Sequence, residues 1–235
     1  MSRRKPWGDA ENVAVDVLWE DATMLVVNKP SGVLSTGPAN VPSLEADLQA
    51  WLQQRQSAAG KPVVRLVHRL DRPVSGALLV ARTARAARVL SEQFQARMVD
   101  KRYLVMVEGR VDDPQGRWLD IIRKVPDQPR AELVGENVAG GKPAVLKFTV
   151  QRRWDDRTLL EIQLETGRMH QIRVQAASRG HAVLGDVAYG SQRVFGPQVT
   201  DPRQAAIALH SHRVAFRHPK TARPITVDAP LPTYW

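Results

Sequence analysis

A single carboxylate, Asp71, lies between two arginines in the sequence HRLDRPVSG, which runs from His68 to Gly76. The apolar runs VVRLV and ALLV border this segment, so the sequence predicts a loop between two buried strands. Loops at the end of a sheet often carry catalytic groups. The flanking Arg69 and Arg72 favour the ionised carboxylate. Such a group suits a nucleophile or a base; an ordinary ion pair in a solvated loop is the structural alternative.

Positive charge is dense around this loop. Nine arginines or lysines and only three acidic residues lie between Arg65 and Arg102, and the net charge of the chain is +10. That charge favours a polyanionic partner such as nucleic acid, although a GC-rich genome also produces arginine-rich proteins. Tyr103 directly follows Lys101 and Arg102, an order that suits a stacked nucleobase beside bound phosphates. A buried tyrosine on a central strand is the alternative.

A second polar segment is TGRMHQIRV, residues 166–174. The pattern predicts a short helix that places His170 and Arg173 on one face, because they are three residues apart. An arginine at this position could orient a carboxylate from another part of the chain, or it could be an ordinary surface side chain.

The residue types argue against several kinds of site. The chain has no cysteine, which excludes disulfides and thiolate metal sites, including those of zinc deaminases. His210 and His212 share one face of a predicted strand, but two histidines without a third ligand are weak support for a metal. The sequence HRLD begins like the catalytic-loop pattern of protein kinases, but that pattern has asparagine at the position where this chain has Gly76. We therefore expect no metal.

Hydrophobic periodicity predicts an α+β fold with several strands, three helices and mostly antiparallel neighbours. Ser43 and Thr83 are expected to cap the first two helices, and Gly180 to close the third. The second helix is expected to bury a stripe formed by Ala87, Leu90, Phe94 and Met98.

Two strands over residues 144–154 and 157–166 are predicted to form an antiparallel pair. Residues 111–142 are rich in proline, glycine and aspartate, which predicts an irregular or short-strand segment.

We expect one folded domain over residues 13–235 and a loose basic tail over residues 1–12. The tail has no apolar h-region, so no secretory signal is predicted. No uninterrupted apolar run approaches the ~18 residues of a spanning helix. The absence of cysteine suits a reducing cytoplasm. These features predict a cytoplasmic protein with no membrane attachment. A monomer with no obligate protein partner is the default expectation.

Four segments occur in the order that is typical of the RluA-type pseudouridine synthases. They are NKPSGVL from Asn28, HRLDRPVSG from His68, KRYLVMVEG from Lys101 and TGRMHQIRVQAASRGHAVLGDVAYG from Thr166. The C-terminal sequence LHSHRVAFRHPKTARPITVDAPLP is also similar to that family, and the resemblance covers roughly residues 13–232. It implies a mixed, mainly antiparallel sheet with a central catalytic cleft and flanking helices. It also implies an isomerase that converts a chosen uridine in RNA to pseudouridine without a cofactor.

The resemblance gives individual residues a role by their motif positions. Asp71 matches the essential aspartate, which acts as a nucleophile or as the base of an elimination. Tyr103 matches the tyrosine that stacks on the target base, and Arg173 the arginine that pairs with the aspartate. Ile172 is similar to the residue on the other side of the base, and Arg69 to the group that enters the RNA and holds the base out. Further expected RNA contacts are His68, Lys101, Arg168 and His170.

This resemblance also implies a reason for placing a carboxylate between arginines. A base must leave the RNA stack before its ribose can be attacked, at a cost of a few kcal/mol. One arginine can fill the vacated position while a second keeps Asp71 ionised. Val74 stands where the family usually has threonine, so one loop hydrogen bond is expected to be missing, and Pro73 is a possible source of stiffness.

The motifs begin near residue 13, so we expect this chain to lack the small N-terminal RNA-binding domain of many relatives. Target choice would then rest with the catalytic domain, and a stem-loop of ribosomal or transfer RNA is the expected substrate. The alternative is a non-catalytic RNA-binding or ribosome-assembly protein that retains the fold.

Overall fold

The computed structural model describes residues 15–38, 41–55 and 62–235. The expected α+β fold is confirmed, while the tail expected over residues 1–12 lies outside the described residues. Three helices are α1 (Leu44–Arg55), α2 (Ala84–Gln95) and α3 (Gln171–Ala177), and two short 3₁₀ helices follow α3. The strands are β1 (Val17–Glu20), β2 (Met24–Lys29), β3 (Arg65–Leu66), β4 (Ser75–Ala81), β5 (Asp100–Glu108), β6 (Gln115–Lys124), β7 (Ala131–Val134), β8 (Lys142–Arg153), β9 (Arg157–Leu164), β10 (Leu209–Arg217) and β11 (Pro224–Asp228).

These strands form one sheet with the order β1-β2-β4-β10-β5-β9-β8-β6-β7, in which β3 also pairs with β4 and β11 with β10. Its named strand pairs are antiparallel except for β4 and β10. In the parallel pair Gly76 lies beside Ser211, which in turn lies beside Tyr103 of β5. The loop before β4 therefore ends two strands away from Tyr103.

The strands β2 and β4 are buried on both faces because a helix covers each side of the sheet. Successive side chains of a strand point to opposite faces, so Leu25 and Val27 belong to one core and Met24 and Val26 to another. The first core includes three leucines of α1, which are Leu44, Leu48 and Leu52. The second core includes Ala86 and Leu90 of α2.

Both predicted N-caps are confirmed. The Thr83 hydroxyl accepts the backbone N–H of Ala86 at 3.1 Å, and the Ser43 hydroxyl accepts that of Ala46 at a longer 3.4 Å. These bonds satisfy backbone donors that the first turn of a helix leaves free. Within the described residues, the structure contains no helix that is both long and apolar enough to cross a membrane.

The closing turn of α3 is also as predicted. Gly180 has a φ of 79°, and its N–H donates to the Ala177 carbonyl at 3.0 Å. The N–H of His181 donates to the Ala176 carbonyl at 3.0 Å. This pair of bonds is the Schellman motif, in which glycine normally occupies the left-handed position.

Two predictions were wrong in part. Residues 111–142 contain the short strand β7, as one of the two alternatives predicted, but also the ten-residue strand β6, and the two strands form a hairpin. The proline, glycine and aspartate residues at both ends of this segment obscured the apolar pattern of β6, which buries Trp118 and Ile122 on one face. Met98 does not continue the buried stripe of α2: the helix ends at Gln95, and the Met98 side chain is 56% exposed.

Candidate active site

A cleft of about 930 Å³ opens between the loop before β4, the start of β5, the end of α2 and the segment before α3. Every side chain that the sequence predicted for the site lines this one cleft. Those residues are Asp71, Tyr103, Arg173, Arg69, Ile172, His68, Lys101, Arg168 and His170. Three distant parts of the sequence therefore meet at one place.

Hydrogen bonds to its backbone fix the loop that carries Asp71. The Ser35 hydroxyl donates to the Leu70 carbonyl at 2.7 Å and accepts the Leu70 N–H at 3.0 Å. The carbonyl of Arg72 accepts the N–H of Gly32 at 2.8 Å. Both partners lie between β2 and α1, so the NKPSGVL segment and the residues after it hold the loop from behind.

Backbone hydrogen bonds hold the loop around Val74, although valine lacks the hydroxyl group of threonine. The N–H of Val74 donates to the carbonyl of Asp71 at 3.1 Å and closes a tight turn, and its side chain is buried in the core. The Pro73 carbonyl accepts the N–H of Ile207 at 3.3 Å. Backbone bonds on both sides of the turn therefore supply the stiffness that a threonine hydroxyl was expected to provide.

Lys29 is a fully buried cation directly behind this loop. Its ammonium donates to three carbonyls, those of Pro30 and Val33 at 2.8 Å each and that of Arg72 at 3.3 Å. Burial lowers the pKa of Lys29 to about 7, and the negative charge of Asp71 opposes this shift. The three acceptors match the three N–H donors of an ammonium group, so Lys29 joins the NKPSGVL turn to the Asp71 loop.

The SG pair that follows the loop allows β4 and β10 to approach closely. Gly76 has a φ of 114°, and a Cβ there would lie 2.3 Å from the Ser211 carbonyl oxygen. The Ser75 hydroxyl lies 2.8 Å from His210 Nδ1, while His210 Nε2 lies 3.2 Å from the Ala229 carbonyl. Because a carbonyl can only accept, Nε2 carries the proton and Nδ1 accepts from Ser75. His210 is thus engaged in holding strands together.

The Asp71 carboxylate meets a guanidinium that is itself clamped. Arg173 Nη1 donates to Asp71 Oδ2 at 3.2 Å. Its Nε and Nη2 donate to the two oxygens of Asp186 at 2.6 and 2.8 Å. Burial by itself lowers the pKa of Arg173, but the bonds and charges of Asp186 and Asp71 raise it above the ordinary value. The fork of Asp186 therefore fixes the orientation in which Arg173 presents Nη1 to Asp71.

His170 lies beside the same carboxylate, although not on the helix that the sequence predicted for it. The helix α3 begins at Gln171, and His170 precedes it with a left-handed φ of 52°. Its Nε2 lies 3.7 Å from Asp71 Oδ2, and its Nδ1 lies 2.9 Å from the Tyr189 hydroxyl. Burial lowers the pKa of His170, and the charge of Asp71 opposes that shift. The guanidinium of Arg173 also lies over the Tyr189 ring at 4.9 Å.

An aromatic and an aliphatic side chain provide the apolar part of the cleft. Tyr103 is only 7% exposed and Ile172 only 4%. Burial, followed by the negative charge of Asp71, raises the pKa of Tyr103 above its ordinary value. The phenol is therefore protonated at neutral pH, and the ring offers a flat surface next to the carboxylate. A planar base between such surfaces would be stacked rather than read only by hydrogen bonds.

Cations surround the opening of the cleft. Arg69 is exposed, and Arg168 is partly buried with its Nε donating to the Pro143 carbonyl at 2.9 Å. Burial lowers the pKa of Lys101, and the charge of Asp100 opposes the shift. These groups could hold phosphates on either side of a base that has entered the cleft.

His68 differs from these cations because it is neutral. Burial, with a smaller effect of the Lys101 charge, lowers the pKa of His68 to about 3. Its Nε2 accepts the N–H of Leu79 at 2.9 Å, and its ring stacks on Phe94 with centroids 4.7 Å apart. His68 thus connects the start of the loop to β4 and α2, and it also lines the cleft.

The loop that carries Arg168 and His170 is fixed to β8. The Thr166 hydroxyl accepts the N–H of Val145 at 2.8 Å and donates to Gln171 Oε1 at 2.7 Å. The same oxygen of Gln171 accepts the N–H of Arg168 at 3.0 Å. These hydrogen bonds hold this wall of the cleft in place.

Comparisons with known proteins identify the family of this chain. A family model described as RNA pseudouridylate synthase matches residues 23–178. The chain belongs to this family.

Its members are isomerases that act on uridine in RNA. The ribosomal large subunit pseudouridine synthase C of Haemophilus ducreyi is 35% identical over 222 residues, which are 92% of this chain and 65% of that protein. The ribosomal large subunit pseudouridine synthase D of Xylella fastidiosa is 34% identical over 94% of this chain and 67% of that protein. The chain thus spans about two thirds of the length of these curated relatives.

Solved structures show the same fold. Human RNA Pseudouridylate Synthase Domain Containing 1 superposes with a TM-score of 0.70 and 26% identity, over 96% of this chain and 86% of that one. Human RNA Pseudouridylate Synthase Domain Containing 4 has a TM-score of 0.75 at 21% identity, over 93% and 89% of the two chains.

Sequence reasoning missed three residues that support the site. Asp186 and Tyr189 lie in the motif segment GDVAYG, and Lys29 lies in the motif NKPSGVL. The resemblance to the family covered both segments but gave none of these three side chains a role. A polar residue inside a largely apolar motif was the available signal, because a buried polar group needs a partner.

Proposed function

We propose that this protein isomerises a uridine of structured RNA to pseudouridine, with Asp71 as the residue that acts on the ribose. One observation carries the proposal. The Asp71 carboxylate lies in a cleft beside a buried tyrosine and is contacted by Arg173, which Asp186 holds in a fixed orientation. This constellation places an oriented carboxylate next to a surface on which a base can stack.

The proposed reaction breaks the bond between C1′ and N1 of uridine and forms a bond between C1′ and C5. The proton on C5 is lost and N1 gains one, so all atoms stay within substrate and solvent. Asp71 starts the reaction either by attacking C1′ or by removing the proton from C2′. In either case the ionised carboxylate is the reactive form, and Arg173 keeps it aimed at the ribose.

The other residues of the cleft would hold the flipped base and its backbone. We assign stacking on uracil to Tyr103 and the opposite apolar contact to Ile172. Arg69 would occupy the position that the base vacates, which offsets part of the cost of unstacking. The expected contacts to neighbouring nucleotides are His68, Lys101, Arg168 and His170.

The proposed substrate is a stem-loop of ribosomal or transfer RNA. Loops offer unstacked bases, and the names of the Haemophilus and Xylella relatives favour ribosomal RNA. Such a substrate would be met in the cytoplasm, and we expect the protein to act there as a monomer.

The experiment uses transcribed RNA with tritium at C5 of uracil. Because C5 loses its hydrogen when it bonds to C1′, turnover should release tritium into water. Ribosomal and transfer RNA are tested separately, each with protein carrying Asp71→Asn alongside. Binding of RNA without tritium release from either pool would support the alternative of a non-catalytic RNA-binding protein.

A further inference from the structure

The turn that ends α2 has an arginine where the same turn after α3 has glycine. The N–H of Arg97 donates to the Phe94 carbonyl at 3.2 Å, and that of Met98 donates to the Gln93 carbonyl at 2.9 Å. These are the two bonds of a Schellman motif. Arg97 has a φ of 58°, close to the 79° of Gly180 in the corresponding position.

A left-handed backbone is unfavourable for a residue with a Cβ, whereas glycine adopts it freely. Residues held in such conformations are concentrated at functional sites, where the side chain is needed in that place. Arg97 and Met98 both line the cleft, as does Phe94. The strained position therefore directs an arginine towards the opening through which RNA would enter.

Arg97 is exposed, and within the part of the chain that the structure describes it forms no ion pair with a carboxylate. On the nearby sheet surface, by contrast, Arg102 pairs with Asp100 and Glu161 at 3.0 Å each. A cation left unpaired at the edge of a cleft remains available to a phosphate.

Met98 supplies an apolar surface beside that charge. In a Schellman turn, the residue at the position of Met98 commonly packs against an apolar side chain at the position that Gln93 occupies here. Gln93 instead bonds to the backbone of Arg217, donating to its carbonyl at 2.8 Å and accepting its N–H at 2.9 Å. Met98 is left 56% exposed at the cleft, where an unstacked nucleobase could cover it.

We infer that the Arg97–Met98 turn is a second RNA contact, separate from the position proposed for Arg69. Arg97 binds a phosphate of a nucleotide that flanks the target uridine, and Met98 packs against the base of that nucleotide. The inference rests on the proposed RNA substrate. It explains why the chain keeps an arginine in a turn where glycine would be more stable.

The test separates charge from backbone strain by using three substitutions of one residue. Arg97→Gly removes both, Arg97→Ala removes the charge and keeps the strain, and Arg97→Lys keeps a charge. The probe is a fluorescein-labelled RNA stem-loop with a loop of uridines, titrated by anisotropy over a range of salt concentrations. Urea unfolding of each variant gives its stability.

Arg97→Gly and Arg97→Ala should each weaken RNA binding about 10-fold, and the slope of log affinity against log salt should fall by about 0.7–0.9. Arg97→Gly should nevertheless unfold at higher urea concentration than the native protein, and Arg97→Lys should bind nearly as the native protein does. Met98→Ala should weaken binding several-fold with the salt slope unchanged. Arg85→Ala, on the helix α2 that precedes this turn but outside the cleft, is the matched control and should change neither quantity.

Native affinity and an unchanged salt slope in Arg97→Gly would overturn the inference. So would an equal loss in Arg97→Lys and Arg97→Ala, because the charge would then be irrelevant. These outcomes concern binding alone. Failure of the proposed function would appear separately, as an absence of tritium release by the native protein.

Discussion

Asp186→Asn tests whether the buried clamp on Arg173 holds the site together. The two side chains are only 2% and 6% exposed. Asparagine keeps one accepting oxygen but places an NH₂ group against a guanidinium N–H that is now bonded at 2.6 Å. Removing one partner of a buried ion pair costs ~3–5 kcal/mol. Because one bond can be retained, we expect a loss of about 3 kcal/mol in the free energy of unfolding.

The measurement is urea unfolding of native protein and variant at neutral pH, with tritium release on RNA as the second readout. The kcat should fall about 100-fold through misorientation of Asp71, while KM changes little. Asp228→Asn is the matched control, because Asp228 binds Arg213 by the same fork at 2.5 and 2.9 Å but on the surface. That variant should lose about 1 kcal/mol or less. Equal, small losses in both variants would refute the reasoning.

Substitutions at three further residues test other parts of the account. Lys29→Met leaves the carbonyls of Pro30 and Val33 without a donor, while that of Arg72 keeps the N–H of Gly32. The free energy of unfolding should therefore fall by about 2 kcal/mol and activity with it; native urea unfolding would contradict this role. Burial lowers the pKa of His210 to about 4, so the folded state favours the neutral imidazole. The stability that His210 contributes above its unfolded pKa of ~6.5 is therefore lost as the pH falls. Between about pH 7.5 and 4.5 this linkage removes ~2.5 kcal/mol, and urea titrations should show that His210→Gln lacks this part of the pH dependence. Tyr103→Phe should bind the RNA stem-loop like the native protein, whereas Tyr103→Leu should bind about 10-fold more weakly through loss of stacking; equal affinities of the two variants, measured by anisotropy, would exclude the stacking role.

Local patterns in the sequence were sufficient for much of the fold. Alternating apolar residues predicted β8 and β9 as a pair, and Thr83 predicted the start of α2, because both depend on neighbouring residues. The end of α2 could not be predicted in the same way. Its left-handed residue is Arg97 rather than glycine, so the apolar spacing continued to Met98 without a signal to stop.

The site was predictable to a similar extent. Asp71, Tyr103 and Arg173 belong to motifs whose order and spacing can be read in the sequence, and all three line one cleft. The partnership of Arg173 with Asp186, and that of Lys29 with the Arg72 carbonyl, depend on how distant segments pack. Such contacts follow from the register of the sheet and cannot be found from local spacing.

The most direct test of the central claim is a map of pseudouridine at nucleotide resolution. Unmodified ribosomal and transfer RNA are incubated with the native protein or with Asp71→Asn, and RNA binding by both proteins is measured in parallel. The account predicts a discrete new pseudouridine with the native protein and none with Asp71→Asn, which should fold and bind RNA normally. The same pseudouridine formed by Asp71→Asn would contradict the role of Asp71, and no pseudouridine with either protein would contradict the proposed activity.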